Sequence, residues 1–266
     1  MTYRSNIKWT ELTWNPSTGC SKVSSGCKYC YAERWAIMHQ KRGIRQYTEG
    51  FKFAIAPDRL EAPLKIKEPR IIFVNSMSDL FHEGMPDEYL IRVFEVMNRA
   101  PQHQFQILTK RSEKLKALIS KVHISDNIWI GVSVENVETT FRIKDLQDVG
   151  FKNSFISFEP LIGPIPNIDL AGICWVIVGG ESGPRARKVE KDWIISIKEL
   201  CEKQNIPFFF KQWGKTQFNP DQQDKTIIKT HPNHAIGGCQ LNGLTYLHNP
   251  IANKLLCPEN FNHIAI

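Results

Sequence analysis

Short apolar runs alternate along this chain with polar or glycine-rich turns, and most turns are followed by apolar residues at helical spacing. Ile71 to Val74 leads into Asn75-Ser76-Met77-Ser78-Asp79. A helix is predicted from about Pro86 to Arg99, where Tyr89, Leu90, Val93, Phe94 and Met97 share one face. Phe105 to Leu108 leads into Thr109-Lys110-Arg111 and an amphipathic run through Leu115, Leu118 and Ile119. Ile128 to Val132 leads into Ser133-Val134-Glu135-Asn136 and a helix reaching about Val149. Phe155-Ile156 opens onto Ser157-Phe158-Glu159-Pro160. Trp175 to Val178 opens onto Gly179-Gly180-Glu181-Ser182-Gly183, then a helix with Trp193, Ile194, Ile197 and Leu200. Pro207 to Phe210 ends at Lys211-Gln212-Trp213-Gly214.

Near-continuous apolar runs separated by amphipathic helices describe parallel strands covered on both faces. With a first strand at about Glu11 to Trp14, before a helix from Ala32 to Arg42, there are seven such units. Right-handed crossovers place every strand-to-helix turn on one rim. Polar residues follow nearly every strand, including the first, third and fifth. That favours an α/β fold built as a partial or complete parallel (β/α) barrel, whose site lies at this rim. A doubly wound sheet would concentrate its site at one switch point. Gly43 to Pro69 interrupts the first unit as a lid or an extra turn. From about Lys215 the periodicity fades, so we expect a barrel over residues 1–214 and a C-terminal extension, residues 215–266, packed on it.

The 266 residues are 42% hydrophobic and 23% charged, the composition of a globular protein rather than a disordered one. A net charge of +7 raises the local concentration of anions such as nucleic acids or phosphorylated metabolites. No apolar run reaches the roughly 20 residues of a membrane helix. Met-Thr-Tyr-Arg-Ser-Asn-Ile-Lys has no secretory apolar core. A cytoplasmic protein without a membrane partner is expected.

In that reducing setting the seven cysteines divide into a cluster and four singles. Cys174, Cys201, Cys239 and Cys257 are expected as buried small hydrophobes. Cys20, Cys27 and Cys30 form C-x6-C-x2-C, with Gly19 and Gly26 allowing a tight loop. Three clustered thiolates can hold a metal centre and leave one coordination position open for chemistry. A 4Fe–4S cluster with one iron lacking a protein ligand fits this set. So does zinc with a fourth ligand, for which His39 is the candidate, and so do redox-inert loop cysteines.

The motif resembles that of the radical S-adenosylmethionine (SAM) superfamily, in which three cysteines follow the first strand of a partial barrel with an aromatic residue before the third. Tyr29 occupies that place in Cys27-Lys28-Tyr29-Cys30; the first gap has six residues, where three is commonest. The chain also resembles a phage- and prophage-associated family of unknown function with a three-cysteine motif. That likeness spans Trp14 to Trp213 and rests on Thr18-Gly-Cys20, Cys27-x-x-Cys30-Tyr-Ala, Gly131-Val-Ser-Val-Glu135, Phe158-Glu-Pro-Leu-Ile-Gly163, Gly179-Gly-Glu-Ser-Gly183 and Phe208-Phe-Phe-Lys-Gln-Trp-Gly214.

The superfamily resemblance implies that the cysteines ligate a 4Fe–4S cluster and that Tyr29 adjoins it. It implies that the second strand end, here Asn75, Ser76, Ser78 and Asp79, contacts the SAM amino group. The fourth strand end, with Ser133 and Glu135, would hold the ribose. From the residues themselves, Lys110 and Lys211 are candidates to neutralise a carboxylate or phosphate. Glu159 and Glu181, flanked by Pro or Gly at strand ends, are candidates for catalysis, with Lys211. Trp213 would offer an aromatic platform for a base. His231, His234 and His248 are expected in exposed loops. The expectation is a SAM-cleaving radical enzyme with an external electron donor and a nucleic-acid or nucleotide-derived substrate. The alternative is a zinc-stabilised, basic nucleic-acid-binding protein without catalysis.

Overall fold

Every apolar run is a strand, because β-branched and aromatic residues pack well on both faces of a covered sheet. The computed structural model describes residues 2–5, 7–227 and 237–252. Its strands are β1 (Thr2–Arg4), β2 (Leu12–Trp14), β3 (Ser17–Thr18), β4 (Ala54–Ile55), β5 (Ile71–Val74), β6 (Gln104–Thr109), β7 (Ile128–Ser133), β8 (Ser154–Phe158), β9 (Trp175–Gly179), β10 (Phe208–Gln212), β11 (Gln240–Leu241) and β12 (Leu244–Thr245). Its α-helices are α1 (Tyr31–Lys41), α2 (Asp87–Asn98), α3 (Ser112–Leu118), α4 (Phe141–Val149) and α5 (Lys191–Lys203).

The main sheet has the order β1-β2-β5-β6-β7-β8-β9-β10. The edge strand β1, which no sequence pattern announced, runs antiparallel to β2. The other seven are parallel and follow chain order without reversal. A doubly wound sheet reverses at its switch point, whereas winding in one sense belongs to the (β/α) barrel. The fold class is therefore the expected partial-barrel α/β class.

The chain divides into two compact units, residues 1–5 with 10–130 and residues 6–9 with 131–266. In the first, Trp14 pairs opposite Val74 and Val74 opposite Ile107, so the residues following β2, β5 and β6 emerge side by side. The segment after α1 returns as β4 to pair with β3, directly before the cysteines. In the second, Phe158 lies opposite Val178 and Val178 opposite Phe210. The register slips between Phe210 and Gln212, which makes Lys211 the extra residue of a bulge. Bulges re-aim side chains. No helix follows β8; Pro160, Pro164 and Pro166 in the connection to β9 remove the N–H donors a helix needs. No helix among the described residues is long and apolar enough to cross a membrane.

Candidate active site

The cysteine loop is pinned at its entry by backbone and small side chains. The Asn15 carboxamide oxygen accepts from the Ser76 hydroxyl (3.2 Å) and the Met77 N–H (3.0 Å). Asn75 sits at φ 66°, a conformation Asn tolerates, and its Nδ2 donates to Ser17 Oγ at 3.0 Å. The Gly19 N–H donates to the Met77 carbonyl, and Ser78 Oγ donates to the Gly19 carbonyl at 2.6 Å. Gly19 has φ 76°, and a Cβ there would lie 2.1 Å from the Lys52 carbonyl oxygen. Only glycine fits. The Cys20 N–H donates to the Phe51 carbonyl, so part of the Gly43 to Pro69 segment backs the loop.

Asp79 and Arg111 then lock the first thiol in place. Buried Asp79 accepts from the Phe81 N–H, the Thr109 hydroxyl and the Lys110 N–H, and from Arg111 Nη1 at 3.2 Å. Arg111, also buried, donates from Nε to Glu83 at 2.8 Å, from Nη1 to Cys20 Sγ at 3.4 Å, and from Nη2 to the Ser21 carbonyl and hydroxyl. Arg111 is a site residue that the sequence pattern does not single out; its only signal is a second basic residue beside Lys110 at the end of β6.

Burial pushes the Cys20 thiol up to about 11, against the opposing pull of Arg111. Burial also raises Cys30, while the backbone N–H groups of Glu33 and Ala32, in the first turn of α1, favour its thiolate. The Lys110 ammonium acts in the same direction on Cys30. Cys27 lies close enough to both other thiols for its charge to oppose theirs. All three are half-buried. Among the described residues no three His, Cys, Asp or Glu side chains are gathered into a metal-holding group; Cys20 Sγ donates to the Ser21 carbonyl, and Cys27 Sγ lies 3.7 Å from Ser24 Oγ. The donor chemistry nonetheless fits an iron–sulfur cluster: three thiols in one loop, two of them with thiolate-favouring N–H groups at hand. Tyr29 is half-buried with the Lys28 ammonium 5.4 Å over its ring. Tyr31 donates its hydroxyl to the Ser76 carbonyl, tying the start of α1 to the turn after β5. His39 stacks on Tyr47 and packs at a tilt against Trp35. Nine residues beyond Cys30, it lies about 13 Å along the helix, too far to share a zinc ion with it.

In the second unit the candidate carboxylates each hold a basic partner. Glu135 is 0% exposed and accepts from Arg142 Nη1 at 2.9 Å; the same nitrogen donates to the Ser133 carbonyl. Glu181 is buried and takes a bidentate clamp from Arg187, which also gives it a backbone N–H. Glu159 meets Lys211 Nζ at 2.8 Å and accepts from Ser157 Oγ at 3.0 Å. This pair is more open than that of Glu135 with Arg142, with side chains 14% and 21% exposed. Glu159 directly follows β8 and Lys211 stands on β10, with β9 between these strands, and a Cβ on Gly179 would lie 2.6 Å from Glu159 Oε1. Glycine in the middle strand thus leaves room for the pair to close above it.

Trp213 is buried against Phe210 and donates its indole N–H to the Gln240 carbonyl. A core role replaces the expected base platform, because its strand is covered on that side by the segment after residue 237. Cys174, Cys201 and Cys239 are buried as expected, and His248 is exposed. His231, His234 and Cys257 lie outside the described residues.

A family model described as "Protein of unknown function (DUF5131)" matches residues 4–250. The chain belongs to that family. No curated protein matches it. Among solved structures it is similar to a spore photoproduct lyase mutant with bound AdoMet and dinucleoside spore photoproduct, at 13% identity and TM-score 0.42, over 81% of this chain and 64% of that one. A spore photoproduct lyase complexed with dinucleoside spore photoproduct is similar at 12% identity and TM-score 0.40, over 84% of this chain and 68% of that one. The chain thus spans about two thirds of the length of these lyases.

Proposed function

We propose that this chain is a radical SAM-type iron–sulfur enzyme acting on a nucleic-acid or nucleotide-derived substrate, in the phage or prophage setting that its motifs suggest. One observation carries the reading: three half-buried thiols in the loop after the first parallel strand, with a guanidinium N–H on Cys20 and first-turn amides beside Cys30. Cys20, Cys27 and Cys30 would hold a 4Fe–4S cluster with one iron left for SAM. When bound, and supplied with an electron by an external donor, that cofactor pair provides a 5′-deoxyadenosyl radical for hydrogen abstraction.

The protein's own work is positioning. Arg111 fixes Cys20 and, with Asp79, ties the thiol loop to the end of β6. Lys110, whose charge already reaches Cys30, would neutralise an anion at the loop. The half-buried Ser76 and Ser78 hydroxyls border the same loop and would accept from the SAM amino group while donating to Asn15 and the Gly19 carbonyl. Ser133 and Glu135 would serve the ribose through the strand end that Arg142 holds. Glu159 and Lys211, an ion pair in which both side chains stay partly exposed at a strand end, are the substrate-side candidates, with Lys211 Nζ 2.8 Å from Glu159 Oε1. Glu181 would act through the turn it braces with Arg187.

Anaerobic purification should give a brown protein with about four irons per chain. Reduced with dithionite and mixed with SAM, it should form 5′-deoxyadenosine, measured by mass spectrometry. Cys27→Ala should abolish both colour and product. A colourless chain with one zinc would establish the nucleic-acid-binding alternative, and a loaded cluster that leaves SAM intact would refute catalysis.

A further inference from the structure

Exposed large hydrophobic side chains are concentrated beside the cysteine loop. Of the ten in the described residues, Val23, Tyr31, Trp35, Ile37 and Ile44 fall between Val23 and Ile44. Helix α1 buries only Ala32 and Ala36, so it lies on its unit through two small residues, while Tyr31, Arg34, Trp35, Ile37, Gln40 and Lys41 are exposed. Tyr31, Trp35, Met38 and Arg42 recur at i, i+4, i+7 and i+11 and therefore line up as one stripe. Tyr31 and Trp35 are 42% and 41% exposed. Trp35, His39 and Tyr47 form a succession of rings at 5.6 and 5.2 Å, which holds the indole without closing it off. Arg34 and Lys41 occupy the neighbouring row and Arg45 follows the helix. All of these cations are exposed. Between Ser21 and Arg45 there are six basic residues and one carboxylate, Glu33, which already pairs with Lys22.

Flat rings set among unpaired cations match a polymer that offers both phosphates and unstacked bases. A duplex hides its bases from such rings, and an apolar protein partner would meet a row of cations without counter-charges. We propose that α1 is the docking face for single-stranded nucleic acid. Because Tyr31 directly follows Cys30, a strand lying along α1 is delivered to the cysteine loop. The inference rests on the reading above in taking the substrate to be nucleic acid, and deepens it from a nucleotide to a polymer.

Fluorescence anisotropy with labelled 20-nucleotide single-stranded DNA and RNA tests this on the full chain. Trp35→Ala should weaken binding about tenfold, with Trp35→Phe restoring most of it, since stacking needs a ring. Replacing Arg34, Lys41 and Arg42 together by Ala should flatten the slope of log affinity against log salt by about 2. Circular dichroism should show unchanged folding, because these side chains are exposed. Binding by the wild type that ignores both changes, preference for duplex, or no binding at all overturns the proposal. So does a dimer in sedimentation that Trp35→Ala dissociates, which would make α1 a protein interface. Formation of 5′-deoxyadenosine without any polymer should be equal in wild type and Trp35→Ala; its absence from the wild type would instead remove the radical SAM reading.

Discussion

The two units solve the same problem, a charged group at the end of an apolar strand, in opposite ways. In the second unit each candidate carboxylate has its own cation: Glu135 with Arg142, Glu159 with Lys211, Glu181 with Arg187. In the first unit one cation, Arg111, serves Asp79, Glu83 and the Cys20 sulfur together. Pairing of this kind neutralises charge locally and stiffens the strand end. A shared cation leaves a sulfur atom linked to two carboxylates, so that whatever binds the sulfur is felt through the network. The soft, half-buried thiols belong to the first unit, together with the shared cation that holds one of them. Within the second unit exposure separates the three carboxylates: Glu135 is 0% exposed, Glu181 5% and Glu159 14%.

The largest effects should come from removing either guanidinium. Arg142→Ala takes the guanidinium from a carboxylate that is 0% exposed, and breaking a buried ion pair typically costs about 3–5 kcal/mol. Urea unfolding should show that loss with no change in iron per folded chain. Arg111→Gln takes the guanidinium from buried Asp79, which keeps the Phe81, Thr109 and Lys110 donors, and should destabilise by less. It should also lower iron content and shift the cluster's reduction potential, because a hydrogen bond and a positive charge leave the ligand sulfur. Arg111→Lys should recover part of the stability, since an ammonium cannot reach all the acceptors of the planar fork. An Arg111 variant with wild-type potential would erase the contrast between Arg111 and the cations of the second unit.

A smaller change isolates the open pair. Gly179→Ala would put a methyl group 2.6 Å from Glu159 Oε1, and overpacking of this kind costs about 1–3 kcal/mol. If Glu159 and Lys211 face substrate, turnover should fall while 5′-deoxyadenosine formation without substrate persists. Equal loss of both would move the pair out of the substrate's path and into the cofactor's.

The difference between the units also explains what the sequence disclosed. Strands and helices were legible because apolar runs and helical spacing are local, and the cysteine triplet because its ligands are close in sequence. Arg111 was not legible: its partners Cys20, Asp79 and Glu83 lie 91, 32 and 28 residues away, and only the pairing of β2, β5 and β6 brings them together. The private pair of Glu181 with Arg187, six residues apart, was within reach of local reading. So was the hairpin of β11 and β12, whose Asn242-Gly243 turn has positive φ at both residues as a type I′ turn requires; weak periodicity around it hid the signal. Trp213 misled because a tryptophan after a strand reads alike whether solvent or a later segment covers it.

Acid should separate the units most gently. The hydrogen bond from Arg111 holds the Glu83 carboxyl below its ordinary 4.5. Burial pushes Asp224, in the second unit, upward, but the Thr226 hydroxyl, the backbone N–H groups of Gln240 and Thr226, and the Asn219 amide outweigh it and hold it below 3.8. In both cases the folded chain binds fewer protons than the unfolded one, so the stability is fully present above the unfolded pKa and lost as pH falls through the folded one. Glu83 should therefore begin to lose its contribution just under pH 4.5, and Asp224 only under pH 3.8. Melting temperatures followed from about pH 6 to 3 should show Glu83→Gln flattening the upper part of the decline and Asp224→Asn the lower. The Glu83 effect should be small and shrink with added salt, because its side chain is 62% exposed. If acid instead released iron at the same pH in wild type and Glu83→Gln, Arg111 would hold Cys20 without help from the exposed carboxylate, anchored by Asp79 and Ser21.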